Sequence, residues 1–331
     1  MNKPNKSKIN ILIKKINKIE INKNNQDIKE DDSKDQIGLI YNENPIKEYE
    51  EEIMRDLFQG EMKNRPNYSI FPEINDKKEN NILSFLKRFS FINLFISFQR
   101  ELMLQQETLY LCINLFDRYI QKMTLEKKFS QDLNLIALTC LFISSKYEEI
   151  YPPYLKEFIE AFKNRYSKRD IYLKEDEILS SLDFQVLTSS PLLFLKIFCQ
   201  YNIEYENKEI KKEMDLFFFG AQFFLEICLI EPKFCALKPS LQAAICLYLS
   251  RKFLLNHTGK YNKVWTFELT FKTNYSEIEI KKNIKIVVNT IKNFFENVYT
   301  KNFMVMPLYI KYYSIEYSKI SMKLKKIIID E

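Results

Sequence analysis

The side chains best suited to chemistry crowd into one short run, Ser145-Lys146-Tyr147-Glu148-Glu149-Ile150-Tyr151-Pro152-Pro153. A lysine and two carboxylates this close together can hold a partner by charge and hydrogen bonds. Turnover would need more. His257 is the only histidine, which leaves no histidine metal site or Ser-His-Asp triad to assemble. No Gly-rich phosphate loop occurs. The six cysteines (Cys112, Cys140, Cys199, Cys228, Cys235, Cys246) sit inside apolar runs without a Cys-x-x-Cys pair. They read as buried free thiols in a reducing compartment, not as disulfides or zinc ligands. The chemistry on offer is recognition. We expect no enzyme, no cofactor and no metal.

An element must hold that run in place. Leu133 to Ile143 is apolar almost all round, and a helix apolar on every side has to be wrapped by others. It reads as a bundle hub, with Ser130 as N-cap and Asp132 in its first turn. Pro152-Pro153 forbid its continuation, so Lys146, Glu148 and Glu149 stand where it meets the surface. A second acid, Glu175, interrupts the stripe Ile171, Ile178, Leu179, Leu182 of a helix over Lys168–Leu182. A carboxylate there is costly unless it finds a partner or an interface.

The rest of the chain fits an all-α protein. Only four glycines occur in 331 residues, too few turn formers for a many-stranded sheet. The net charge of +6 is spread thinly, which favours a solvated surface over a nucleic-acid patch. Leu216 to Ile230 is too short and too polar, with Gln222 and Glu226, to span a bilayer, and the N-terminus carries no apolar signal core. A soluble intracellular protein is expected.

Residues 1–45 read as a disordered tail with a transient basic helix over Ile9 to Ile21. Residues 46–80 hold a short amphipathic helix, Lys47–Glu61, and a proline-bounded linker. Five helices follow in residues 81–188: Ile82–Phe98, Glu107–Lys122, the hub, Tyr154–Phe162 and Lys168–Leu182. Residues 189–331 hold five more and a tail: Leu192–Tyr201, Lys208–Leu229, Ser240–Leu255, a short helix near Val264–Thr270, and Ser276–Tyr299. Cys140-Leu-Phe-Ile-Ser-Ser-Lys-Tyr147 matches Cys246-Leu-Tyr-Leu-Ser-Arg-Lys-Phe253 nearly step by step, and both fall in the third helix of a five-helix set. That pairing reads as a duplicated domain. The copies part immediately afterwards, so the acidic tip belongs to the first unit alone.

These residues also carry a resemblance. Ser145 to Pro153, Glu107-Thr-Leu-Tyr-Leu with Asn114-Leu-Phe-Asp117-Arg118-Tyr, Leu179–Phe184 and the tail Lys311–Ser321 together resemble A- and B-type, mitotic-like cyclins with two cyclin boxes. The resemblance spans about Tyr49 to Ser321. It implies two tandem five-helix cyclin boxes behind an N-terminal helix, and a non-catalytic subunit that activates a cyclin-dependent Ser/Thr kinase in cell division, at G2/M. Nucleus and cytoplasm are the implied locations. Residue by residue, it implies that Lys146 and Glu175 meet the kinase's regulatory helix. Tyr147, Leu179, Phe184 and Val186 would make apolar contacts around them, and Tyr49 and Ile53 would grip from the side. Arg88 and Asp117 would form an internal ion pair.

The resemblance also fails in one place. Where such cyclins carry an apolar substrate-docking groove, this chain has Lys87, Ser90, Phe91, Leu94 and Asn134. The groove is eroded, and weak docking of substrate peptides is expected. Two rivals stand beside the main reading: a cyclin of the transcriptional class, and a two-repeat cyclin-like DNA-binding factor. The second would bring a zinc ribbon and a concentrated basic face. Substrates and inhibitors of the kinase are possible further partners, while no nucleic-acid or membrane partner is expected.

Overall fold

The computed structural model describes residues 50–68, 85–128, 131–200, 208–258, 264–299 and 306–329. The expected tail over 1–45, its transient helix, Ser130 and Tyr49 lie outside them, as does the side chain of Ile53. Among the described residues every regular element is a helix. They are α1 (Glu50–Gly60), α2 (Phe85–Glu101), α3 (Gln106–Leu125), α4 (Leu133–Glu148), α5 (Leu155–Ala161), α6 (Lys168–Ser181) and α7 (Pro191–Gln200). Next come α8 (Lys208–Cys228), α9 (Pro232–Cys235), α10 (Pro239–Thr258), α11 (Phe267–Thr273), α12 (Glu277–Tyr299), α13 (Met306–Lys311) and α14 (Ile320–Ile329). The sequence pattern anticipates α1 to α8 and α10 to α12 within a few residues. It misses α9, α13 and α14, which are short or follow a tail motif with no clean period.

Helices α2 to α6 form the first set. The hub is α4, in which every residue from Ile136 to Ser145 is buried. It packs between α3 and α6, while α2 leans on α3. The expected N-cap is corrected. Asp132 itself caps the helix, accepting from the N–H groups of Asn134 and Leu135, so the helix opens at Leu133. An acid at this position satisfies orphan donors and favours the positive end of the helix dipole. Helix α6 opens with the capping box Ser167–Asp170.

Helices α7, α8 and α10 to α12 repeat the arrangement, with α10 as the hub against α7 and α8. Cys246 and Ser250 of α10 are fully buried, as are Cys140 and Ser144 of α4. The two third helices therefore bury corresponding residues, as the sequence match requires. Close packing in the second set depends on Gly220, where an added Cβ would lie 2.3 Å from Ser250 Oγ. Of the run Phe217-Phe218-Phe219, only Phe217 is fully buried; the other two are half-buried against the core. Five of the six free cysteines are buried and Cys199 is half-buried. Burial pushes the thiols of Cys199 and Cys235 up to about 12, as expected of inert core thiols.

Two buried ion pairs stitch the helices. Arg88 on α2 grips Asp117 on α3 with two bonds, Nε to Oδ1 at 3.0 Å and Nη2 to Oδ2 at 2.8 Å. Its Nη1 donates to the Leu229 carbonyl at 2.8 Å, beyond α8, so the pair also joins the first helix set to the second. Burial alone would push the Arg88 guanidinium down, but the Asp117 carboxylate overrides it and holds it charged. In the second pair Lys311 Nζ lies 2.8 Å from both oxygens of Glu226 and 2.7 Å from Gln106 Oε1. Tyr312 donates its hydroxyl to Glu226 at 2.6 Å, and Gln106 donates to the Tyr317 hydroxyl. The tail motif is thus a clasp between α3 and α8. Glu226, the one carboxylate of the apolar stretch Leu216 to Ile230, signals it in the sequence.

Candidate functional site

Lys146 and Glu175 meet. They sit on different helices, 29 residues apart in the chain, and form a direct ion pair through Lys146 Nζ and Glu175 Oε1. The lysine comes from the last turn of α4, where a cation suits the helix dipole. Its Nζ lies 4.4 Å from the Phe142 ring centroid, which holds the stem sideways toward α6. The side chain of Lys146 is 41% exposed and that of Glu175 is 13% exposed. So the lysine keeps donors facing outward while the acid is largely spent on the pair. The costly acid in the stripe of α6 has its partner inside the fold.

The two glutamates of the tip have different work, which their shared place at the helix end does not show in the sequence. Glu149 ends α4, and its Oε1 accepts from the Gln105 backbone N–H at 2.7 Å and from the Thr108 hydroxyl. It fastens the tip to the start of α3. Glu148 is half-buried, and burial followed by the negative charges of Glu107 and Glu149 raises its carboxyl pKa. Lys196, paired with Glu107, partly offsets this.

Around the pair lies apolar surface. Tyr147 is half exposed, and Ile150, Tyr151 and Tyr154 follow it with 87%, 91% and 81% of their surface in solvent. On α6, Tyr172 and Leu173 are also exposed, while Leu179 is half-buried one turn beyond Glu175. After α6 the chain turns through Asp183 and Phe184, at φ of 52° and 57°. The Phe184 N–H bonds back to the Leu179 carbonyl at 2.9 Å, the closing bond of a Schellman turn. That turn leaves the Phe184 ring exposed, while Val186 is half-buried and Leu187 exposed. Arg118 and Asn64 hold the segment by donating to the carbonyls of Gln185 and Leu187. Residues with no charge to flag them, Ile150, Tyr151, Tyr154 and Leu187, escape a sequence reading that looks for acid and base.

The suspected groove residues lie elsewhere, on α2 and the start of α4. Lys87 and Ser90 are exposed. Phe91 turns inward, its ring 5.1 Å from that of Phe116, and Leu94 packs on the core. Asn134 is half-buried. Lys252, the second-set counterpart of Lys146, is exposed at the corresponding point of α10, and no acidic run follows it.

Two tandem five-helix sets around buried hub helices, joined by an internal Arg–Asp staple, define a double cyclin box. Residues 52–187 match the family of cyclin N-terminal domains and residues 190–325 that of cyclin C-terminal domains. The chain belongs to the cyclin family. It is 27% identical to cyclin-A2-4 of Arabidopsis thaliana over 237 residues, 71% of this chain and 48% of that protein. It is 33% identical to G2/mitotic-specific cyclin-1 of Saccharomyces cerevisiae over 184 residues, 52% of this chain and 36% of that protein. Cyclin-B1-4 of Arabidopsis thaliana is 28% identical over 218 residues, 66% of this chain and 50% of that protein. The chain thus spans half or less of the length of these curated relatives. A viral cyclin from Herpesvirus saimiri shares the fold, with a TM-score of 0.54 at 15% identity over 75% of this chain and 96% of its own.

Proposed function

We propose that this chain is a non-catalytic regulatory subunit that binds and activates a cyclin-dependent Ser/Thr kinase in cell-cycle control, at G2/M, in nucleus and cytoplasm. One observation carries the reading. Lys146 and Glu175, brought from two helices into one pair, stand within a surface rich in exposed aromatic and aliphatic side chains. An exposed apolar patch with a charged, preorganised centre is the anatomy of a protein-binding hot spot. The relatives named as A-type, B-type and G2/mitotic cyclins support the class of partner and the timing.

The mechanism is a population shift. A kinase works only when its lysine–glutamate pair is assembled and its regulatory helix and activation loop are in place. A subunit that binds the assembled form better raises its share of the population. Tyr147, Ile150, Tyr151, Leu179, Phe184 and Val186 supply most of the contact, and Lys146 supplies direction through its outward donors. Because Glu175 already holds Lys146, the pair needs no rearrangement on docking, which lowers the entropy cost of binding. The test is affinity purification of the tagged chain from synchronised cells. A co-purifying kinase whose activity follows the chain's abundance into mitosis is expected; recovery without any kinase contradicts the proposal.

A further inference from the structure

Helices α8, α10 and α14 enclose a recess that plays no part in the face above. Its volume is about 300 Å³, and its walls are apolar: Leu216 and Phe217 from α8, Leu254 from α10 and Ile327 from α14. Lys323 and Lys326 stand at its edge. Both are exposed, and neither makes an ion pair with a described residue. No acid occurs in α14 from Ile320 to Ile329. The single acid of the lining, Glu213, has interactions of its own, so two cations face one engaged anion. An open apolar recess of this size is at the lower limit of ligand sites, about 300–1,000 Å³, and holds more than one side chain.

We infer that this recess docks an acidic amphipathic segment of a partner protein. Two apolar side chains one helical turn apart would rest on the half-buried Leu216 and Leu254, over a floor formed by the buried Phe217 and Ile327, and flanking carboxylates would meet Lys323 and Lys326. Helix-in-groove recognition works in this way, with spaced anchors for affinity and charge for orientation. Charge decides between occupants. A second copy in a two-fold contact would bring its own Lys323 and Lys326 to the same place, like facing like. An acidic segment removes that conflict.

The probe is a fluorescein-labelled peptide, Glu-Asp-Leu-Glu-Glu-Asp-Leu-Phe-Glu-Asp, titrated with the full chain and followed by anisotropy. Saturable binding with a Kd on the order of 10 μM is expected. It should weaken at least tenfold for the double change Lys323→Glu, Lys326→Glu, and fall steeply with added salt. A peptide with lysines in place of its acids should bind that charge-reversed variant better than the native chain. Leu216→Asp should abolish binding, with far-UV circular dichroism checking the fold. Should Leu216→Asp unfold, the charge swap alone decides, because both lysines are exposed. Binding that ignores the charge reversal, or no saturable binding, overturns the inference. So does light scattering that finds a native dimer dissolved by the two glutamates, which would give the recess to a second copy.

Discussion

Asp117→Ala is the substitution whose effect the structure fixes best. Asp117 grips Arg88 with two bonds, both side chains are almost wholly buried, and removing it leaves the guanidinium charged in the core. Breaking a buried pair costs about 3–5 kcal/mol. Arg88 keeps its bond to the Leu229 carbonyl, so the loss should fall near the lower end, about 3 kcal/mol. With an unfolding entropy of about 2.1 cal/mol/K per residue, each kcal/mol moves the melting temperature of a chain this long about 1.5 °C, which gives a drop of roughly 4–5 °C. Differential scanning calorimetry at neutral pH reads it. The double change Arg88→Leu, Asp117→Leu should recover much of this, since no buried charge remains alone. It should not recover all, because the Leu229 carbonyl loses its Arg88 donor and keeps only the weak Cys235 thiol at 3.4 Å, a loss of up to about 1–3 kcal/mol. A melting temperature for Asp117→Ala within about 1 °C of native would refute the staple. So would a double variant that melts lower than the single one.

Three further outcomes follow from the same geometry. Lys311→Met should strand Glu226 in the core and lower the urea midpoint by the equivalent of about 3–5 kcal/mol, with the C-terminal segment becoming protease-sensitive; an unchanged midpoint contradicts the clasp. Glu148→Gln should raise the melting temperature slightly at neutral pH. Because the folded carboxyl pKa is raised, ionised Glu148 opposes folding above the usual carboxylate range, and the penalty disappears as pH falls through the folded value. The gain should therefore shrink toward about pH 4, and a gain that persists there would show another cause. Arg-x-Leu peptides should compete poorly with substrate phosphorylation, since Lys87 and Ser90 are exposed polar groups and Phe91 is drawn into the core; tight calorimetric binding lost on Leu94→Asp would restore the groove.

Most of the architecture is legible in the residues because it rests on periodicity and capping. The hub helix, the apolar stripe of α6 and the duplicated octapeptide are local patterns, and apart from the N-cap that moves from Ser130 to Asp132 the structure renders them as read. What escapes is long-range. Nothing near Glu149 in sequence shows that it caps the start of α3, 44 residues earlier. Nor does the local pattern show that Arg88 reaches Leu229 across 141 residues, or that Lys311 answers Glu226. The site is legible in its charges and less so in its apolar ring. An exposed tyrosine after a helix looks like any other loop residue until its neighbours are known.

The central claim is that the Lys146–Glu175 tip faces a kinase. Its most direct test is kinase activation by the double variant Lys146→Ala, Glu175→Ala, with Lys252→Ala as the control at the equivalent point of the second repeat. The double change removes both members of a partly exposed pair and leaves neither charge alone, so melting and helical content should stay near native. Activation should be abolished by the double change and weakened more than tenfold by each single one, as the loss of charged hydrogen bonds of roughly 1.5–3 kcal/mol implies. Lys252→Ala should activate normally. Full activation by a double variant that melts like the native chain would show that the kinase docks elsewhere.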